Sequence, residues 1–238
     1  MGFLLSFWRS TIGKKAVMAV TGLIGVGFVI GHMLGNLQMF QGAEKMNAYA
    51  HFLKSLGGLL WLARLILIAA LVLHVVAAYQ LTRMRAAARP VGYKHGSQRE
   101  VSTLASRTMR WGGVLVLVFI VFHILHFTTL DIFPSYSATD VYGNVIHGFS
   151  IWWVTLFYVV AMVFLGLHLY HGAWSSFRTL GATKMSAHPL RRTVALWVAI
   201  IVWAGFTAIP VAVFMGLIGP EHVASTTRVE PATASVAK

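Results

Sequence analysis

The stretch "SIWWVTLFYVVAMVFLGLHLYHGAWS", residues 150–175, decides the fold of this 238-residue chain. It lies within 37 consecutive residues, 141–177, that contain no Asp, Glu, Lys or Arg. About 20 consecutive apolar residues form a helix that spans a membrane, so this stretch predicts a transmembrane helix. It nevertheless contains His168 and His171, and an ionisable residue at membrane depth indicates a functional site.

The composition of the whole chain is typical of a membrane protein. Hydrophobic residues make up 58% and charged residues 11%, whereas about a quarter of the residues in a soluble domain are charged. The absence of cysteine excludes disulfides, thiolate metal sites, cysteine-ligated iron–sulfur clusters and covalently attached haem. The net charge of +13 does not indicate nucleic-acid binding. The basic residues lie between apolar segments, as membrane topology signals do.

The fold class that we predict is all-α, a bundle of five transmembrane helices formed by residues 1–217. The predicted spans are residues 16–40, 58–82, 111–130, 150–175 and 194–217, and residues 218–238 form a polar C-terminal tail. Of the 19 Lys and Arg residues, 14 lie before the first span, between the second and third, or between the fourth and fifth. Basic loops stay in the cytoplasm, so we expect a cytoplasmic N-terminus, an external tail and a multi-pass location in a bacterial inner membrane.

Four histidines inside the predicted spans fall at two depths. At a rise of 1.5 Å per residue, His32 and His123 lie about 25 and 20 Å from the cytoplasmic helix ends. His74 and His168 lie about 13 and 15 Å from those ends by the same estimate. The depths therefore predict an outer pair (His32 and His123) and an inner pair (His74 and His168), each joining two helices of opposite direction.

Two paired imidazoles at each of two levels are typical of two haem b groups with bis-histidine ligation, because neutral imidazole binds haem iron. Small residues near the histidines would leave room for a flat macrocycle, although they also serve helix packing; they are Gly22, Gly25, Gly35, Ala70, Ala77, Ala78, Gly113, Ala161 and Gly172. Zinc fits less well, because each level offers few ligands for a closed site. A proton relay, or histidines that only hydrogen-bond between helices, stay open as alternatives.

Two segments resemble a known family: "VIGHMLGNLQMFQGAEKMNAYAHFL", residues 29–53, and "GLHLYHGAWSSFRTLG", residues 166–181. They are similar to the single-chain di-haem cytochrome b (b558-type) membrane anchor of succinate dehydrogenase and fumarate reductase, over residues 9–217. The most specific motifs are H-x-x-x-N at residues 32–36, G-A-E-x-x-N at 42–47 and H-x-x-x-G-x-W at 168–174. A histidine in each of the first four helices is also the layout of that family.

The resemblance implies which histidines bind haem iron. His168 matches the first position of H-x-x-x-G-x-W, so His171 is its neighbour rather than a ligand. A glycine about ten residues before the third ligand matches Gly113 and His123, which leaves His126 as a residue that supports the ligand or lies at an interface. The implied axial ligands are His32 with His123 and His74 with His168.

The resemblance also implies a function. The family docks an iron–sulfur subunit and a flavoprotein subunit at the cytoplasmic face and carries electrons between them and a membrane quinone, here expected to be menaquinone. The expected activity is thus that of complex II, with the flavin chemistry in partner chains. We consider Asn36, Asn47 and His51 as outer candidates for the quinone site. The alternatives are the haem b subunit of a membrane hydrogenase or formate dehydrogenase, and a haem-free anchor or proton-conducting subunit.

Overall fold

A computed structural model describes residues 2–88, 104–181 and 188–219, and within these ranges the chain forms helices and no strand. The helices are α1 (Phe3–Arg9), α2 (Thr11–Asn36), α3 (Ala43–Ser55), α4 (Gly58–Ala87), α5 (Leu104–Phe127), α6 (Val141–Ser150), α7 (Trp152–Thr179) and α8 (His188–Phe214). A short 3₁₀ turn, Leu37–Gln41, continues α2. Five of these helices are long and apolar enough to cross a membrane: α2, α4, α5, α7 and α8. The predicted all-α bundle of five transmembrane helices is confirmed, and the chain is a multi-pass membrane protein. The predicted tail lies outside the described residues beyond residue 219.

The spanning helices extend beyond the apolar segments that predicted them. The second span continues to Ala87 and the third begins at Leu104, so both include arginines at their basic ends. Hydropathy detects only the part of a helix inside the hydrocarbon layer, whereas a helix continues through the interface, where long basic side chains reach the headgroups. Ser10 caps the N-terminal end of α2, because its side chain accepts a hydrogen bond from the backbone N–H of Gly13 at 2.9 Å.

Close packing links the four histidine-bearing helices. Helix α2 packs against α4 and α7, and α5 packs against α7. Across the described residues, the diagonal neighbours α2 and α5, and likewise α4 and α7, approach each other less closely than these packed pairs do. Helix α8 covers α7 and α2 from the outside. The helices that carry the members of each histidine pair are thus not the closest-packed neighbours.

An end cap, formed by α3, α6 and residues 128–140, covers the end of the bundle opposite the basic helix ends. Asn47 joins its parts: its amide nitrogen donates to Asp140 at 2.9 Å, and its oxygen accepts from the backbone N–H of Tyr142 at 3.0 Å. Lys54 donates to the backbone oxygen of Ala138. A buried apolar cluster that includes Met46, Tyr142, Phe149 and Tyr158 lies beneath the cap. The end cap therefore fixes the outer ends of α5 and α7 relative to α2.

Candidate functional site

The inner pair joins α4 to α7. The ring centroids of His74 and His168 lie 6.1 Å apart, with an angle of 58° between the ring planes. The Nδ1 atom of His74 lies 3.1 Å from the backbone oxygen of Met18 and 3.2 Å from the hydroxyl of Thr21. A backbone oxygen can only accept, so His74 carries its proton on Nδ1 and its Nε2 keeps a free lone pair. That tautomer is the one in which a histidine ligates a metal through Nε2.

The outer pair joins α2 to α5. The ring centroids of His32 and His123 lie 5.7 Å apart, and the ring planes are nearly perpendicular at 79°. Aromatic rings lie next to this pair. Phe28 stacks on His32 with ring centroids 5.3 Å apart, and the ring of Phe206 on α8 lies 5.7 Å from that of His32. The structure therefore brings together the same two pairs that the depth estimate predicts, each across a diagonal of the bundle.

The geometry of both pairs fits a metal held between two imidazoles. An imidazole nitrogen binds a metal at about 2.0–2.1 Å and lies about 1 Å from the ring centre, so two rings on opposite sides of one metal have centroids about 6 Å apart. The observed 6.1 and 5.7 Å match that separation. Two imidazoles at this separation could therefore hold one haem at each level.

Two glycines make room for the inner pair. A Cβ atom on Gly22 would lie 3.2 Å from Cε1 of His74, and one on Gly113 would lie 3.6 Å from Cε1 of His168. Each glycine precedes the outer histidine of its own helix by ten residues, which corresponds to about 15 Å along a helix. These glycines therefore lie at the inner level, rather than beside the outer ligand of the same helix. A Cβ atom on Gly25 would meet no atom within 4 Å, so open space lies next to α2 between the two levels.

A chain of hydrogen bonds leads from the outer pair to the end cap. The hydroxyl of Tyr158 lies 3.2 Å from Nδ1 of His123 and 2.9 Å from Nδ1 of His126. The Nε2 atom of His126 in turn lies 2.8 Å from the hydroxyl of Tyr136. His126 is completely buried, and a Cβ atom on Gly148 would lie within 2.8 Å of its Nε2. Burial raises the pKa of Tyr136, so its hydroxyl stays protonated near neutral pH.

Sequence reasoning missed the two tyrosines of this chain. One signal could have found Tyr158, because it precedes His168 by ten residues and so lies about 15 Å from it, at the level of the outer pair. No comparable signal marks Tyr136, because it lies in an irregular segment whose depth cannot be counted along a helix. His126, which the family resemblance makes a neighbour of the third ligand, shares its hydrogen-bond partner Tyr158 with His123.

The three quinone-site candidates differ in their surroundings. Asn36 donates to the backbone oxygen of His32 at 2.8 Å, inside its own helix. Both polar atoms of the Asn47 side chain bond within the end cap, and His51 is exposed on α3. The hydrogen bonds within the end cap thus use both polar atoms of the Asn47 amide. The assignment of the three residues to a quinone site stays a prediction.

His171 lies one helical turn from His168 on α7, towards the basic end of the bundle. Its ring contacts Trp174, with centroids 5.4 Å apart, and both residues line an open cleft of about 430 Å³ at the basic end of the bundle. Lys15 and Arg178 also line that cleft. Arg178 and Arg192 lie over the Trp174 ring at 5.7 and 4.8 Å, as cation–π pairs. This position fits a neighbour of the site and not an axial ligand.

Comparison of the chain with protein-family models, with characterised proteins and with solved structures gave no match. Within residues 2–88, 104–181 and 188–219, no group of three or more His, Cys, Asp or Glu side chains is placed to hold a metal ion. Haem iron takes its other ligands from the macrocycle, so two imidazoles at one level would complete its ligand set.

Proposed function

We propose that this chain is the di-haem cytochrome b membrane anchor of a succinate:quinone oxidoreductase, in a bacterial inner membrane. The observation that supports it is the pair of diagonal histidine contacts, with ring centroids 5.7 and 6.1 Å apart. The motifs at residues 32–47 and 168–174 support this family over other haem b subunits. An iron–sulfur subunit and a flavoprotein subunit are the proposed partners, and a membrane quinone, with menaquinone as the first candidate, is the proposed substrate.

The chain's own residues would hold and orient the cofactors. His74 and His168 would hold one haem b, and His32 and His123 the other. When bound, each haem supplies a one-electron redox centre within the bundle. The backbone oxygen of Met18 fixes the tautomer of His74, and the aromatic shell keeps water away from the outer pair, which lowers the local dielectric constant. The basic helix ends offer positive charge to the partner subunits and to the haem propionates.

One measurement tests this proposal: a reduced-minus-oxidised absorption spectrum of the purified complex, with haem quantified per copy of this chain. We expect two low-spin b-type haems per chain and their reduction by succinate when the partner subunits are present. Fewer than two haems would refute the ligand pairs. Two haems that succinate does not reduce and fumarate does not reoxidise would instead favour the haem b subunit of a hydrogenase or formate dehydrogenase.

The hydrogen-bonded chain of His123, Tyr158, His126 and Tyr136 favours one second candidate, a proton-conducting membrane subunit. Each member carries an exchangeable proton, and the chain runs from the outer level to the end cap. That candidate requires no haem, so the same spectrum separates the two. A purified complex without haem but with proton uptake by vesicles that contain it would support the second candidate.

A further inference from the structure

The buried polar chain beside the outer pair is more elaborate than helix packing requires. It joins two residues of α5 to one residue of α7 and one of the end cap. His126 has both ring nitrogens bonded and no exposed surface. Position 148 of α6 is a glycine, and any side chain there would displace Tyr136 and His126. Three separate elements therefore maintain an arrangement whose first member is the proposed ligand His123.

We propose that Tyr158 is a positioning residue for His123, which fixes the tautomer and ring orientation of that ligand while His126 and Tyr136 hold the Tyr158 hydroxyl in place. This inference rests on the proposed function, because it concerns the potential of the outer haem. Tyr158 acts through His123 and contacts neither substrate nor cofactor in this role.

Counting protons gives the chain a single direction. A neutral imidazole has one N–H and one lone pair, and a tyrosine hydroxyl has one hydrogen to donate. If His123 ligates through Nε2, its Nδ1–H donates to the oxygen of Tyr158. The hydroxyl of Tyr158 then donates to Nδ1 of His126, and Nε2–H of His126 donates to the oxygen of Tyr136. Every buried polar atom of the chain is satisfied in this direction, with the Tyr136 hydroxyl free to donate at the end cap.

The two levels differ in the acceptor that faces the ligand. At the inner level, Nδ1 of His74 faces the backbone oxygen of Met18, whose position the helix fixes, and the hydroxyl of Thr21, which belongs to the same helix. At the outer level, Nδ1 of His123 faces a hydroxyl that is itself oriented by further hydrogen bonds. An acceptor at the second ring nitrogen raises the basicity of a ligating imidazole, and a more basic ligand stabilises oxidised iron. Removal of the Tyr158 hydroxyl should therefore raise the midpoint potential of the outer haem alone.

The test compares Tyr158→Phe with Tyr142→Phe in the full complex. Tyr142 is a matched control because it is a buried tyrosine of the same apolar cluster, and its hydroxyl lies 3.5 Å from the backbone oxygen of Gly219 rather than near a histidine. Redox titration of the absorption spectrum gives the potential of each haem, and electron paramagnetic resonance reports the orientation of the axial ligand planes. The outer haem is identified as the one that His32→Ala removes.

We expect a higher potential and a changed resonance signal for the outer haem of Tyr158→Phe, with the inner haem and Tyr142→Phe unchanged. An outer-haem potential that is the same in Tyr158→Phe and in the wild type would overturn the inference. If both complexes still bind two haems, the proposed function would remain intact. A wild-type complex without haem would instead refute the proposed function itself.

Tyr136→Phe keeps the test decisive if Tyr158→Phe fails to bind the outer haem. This variant retains His123 and its direct partner, and removes only the last acceptor of the chain. A smaller shift of the outer potential in the same direction would support the inference. Two unchanged potentials in Tyr136→Phe, together with loss of the outer haem in Tyr158→Phe, would reduce Tyr158 to a packing residue and overturn it.

Discussion

Gly148→Ala probes the buried polar chain through its closest contact. The new methyl group would lie 2.5 Å from the hydroxyl of Tyr136 and 2.8 Å from Nε2 of His126, and the helix backbone leaves it no alternative position. Overpacking of a buried site costs about 1–3 kcal/mol. Separation of the two side chains would also remove their hydrogen bond, which contributes about 0.5–1.5 kcal/mol. The expected loss is about 2–4 kcal/mol of unfolding free energy.

Thermal unfolding of the detergent-solubilised protein measures this loss. At about 2–4 °C per kcal/mol for a chain of this size, the midpoint should fall by roughly 4–16 °C. Gly27→Ala is the control, because Gly27 is exposed in α2 and a Cβ atom there meets nothing within 4 Å. Its midpoint should stay unchanged or rise, since alanine favours a helix.

A double mutant separates the contact from a general effect on α6. In the Tyr136→Phe background the oxygen that the new methyl group meets is absent, so Gly148→Ala should cost clearly less than it does in the wild type. Equal costs in the two backgrounds would show that the close contact with Tyr136 is not the cause. A wild-type midpoint for Gly148→Ala alone would refute the tight packing of the chain.

The remaining predictions concern the inner pair and the end cap. His74→Ala, His168→Ala and the double mutant should each lose the same single haem, whereas His171→Ala should keep both. Haem quantified per chain, with the spectrum of the remaining haem, checks this. Loss of both haems in the double mutant alone would contradict the pairing. Asn47→Ala should lower unfolding free energy by about 1–3 kcal/mol, since it removes two hydrogen bonds that join α3 to α6. Asn36→Ala should cost about half as much, since it removes one bond within a helix, and equal melting points for the two variants would argue against the end-cap role of Asn47.

Hydropathy predicted the five spans because each is an almost uncharged run of about 20 residues or more, and that property requires no knowledge of neighbours. It could not predict α3, whose residues Ala43–Ser55 include Glu44 and two lysines, and which depends on contacts with α6. It also gave no sign that residues 141–150 form a separate helix α6, because residues 141–177 lack charge throughout. Asp140 caps the start of α6, and the extended backbone at Ile151 separates α6 from α7.

Depth along a helix carries more information about this site than sequence neighbourhood does. Counting residues from the basic ends predicts the pairs whose ring centroids lie 5.7 and 6.1 Å apart, because depth is a property of each helix by itself. The same count places Gly22, Gly113 and Tyr158 ten residues, or about 15 Å, from a histidine of their own helix, and so at the opposite level. Which neighbour each of them meets depends on how helices cross, and the sequence does not state that. The hydrogen-bonded chain illustrates the limit: Tyr158 was within reach of the depth estimate, whereas its link through His126 to Tyr136 required the fold.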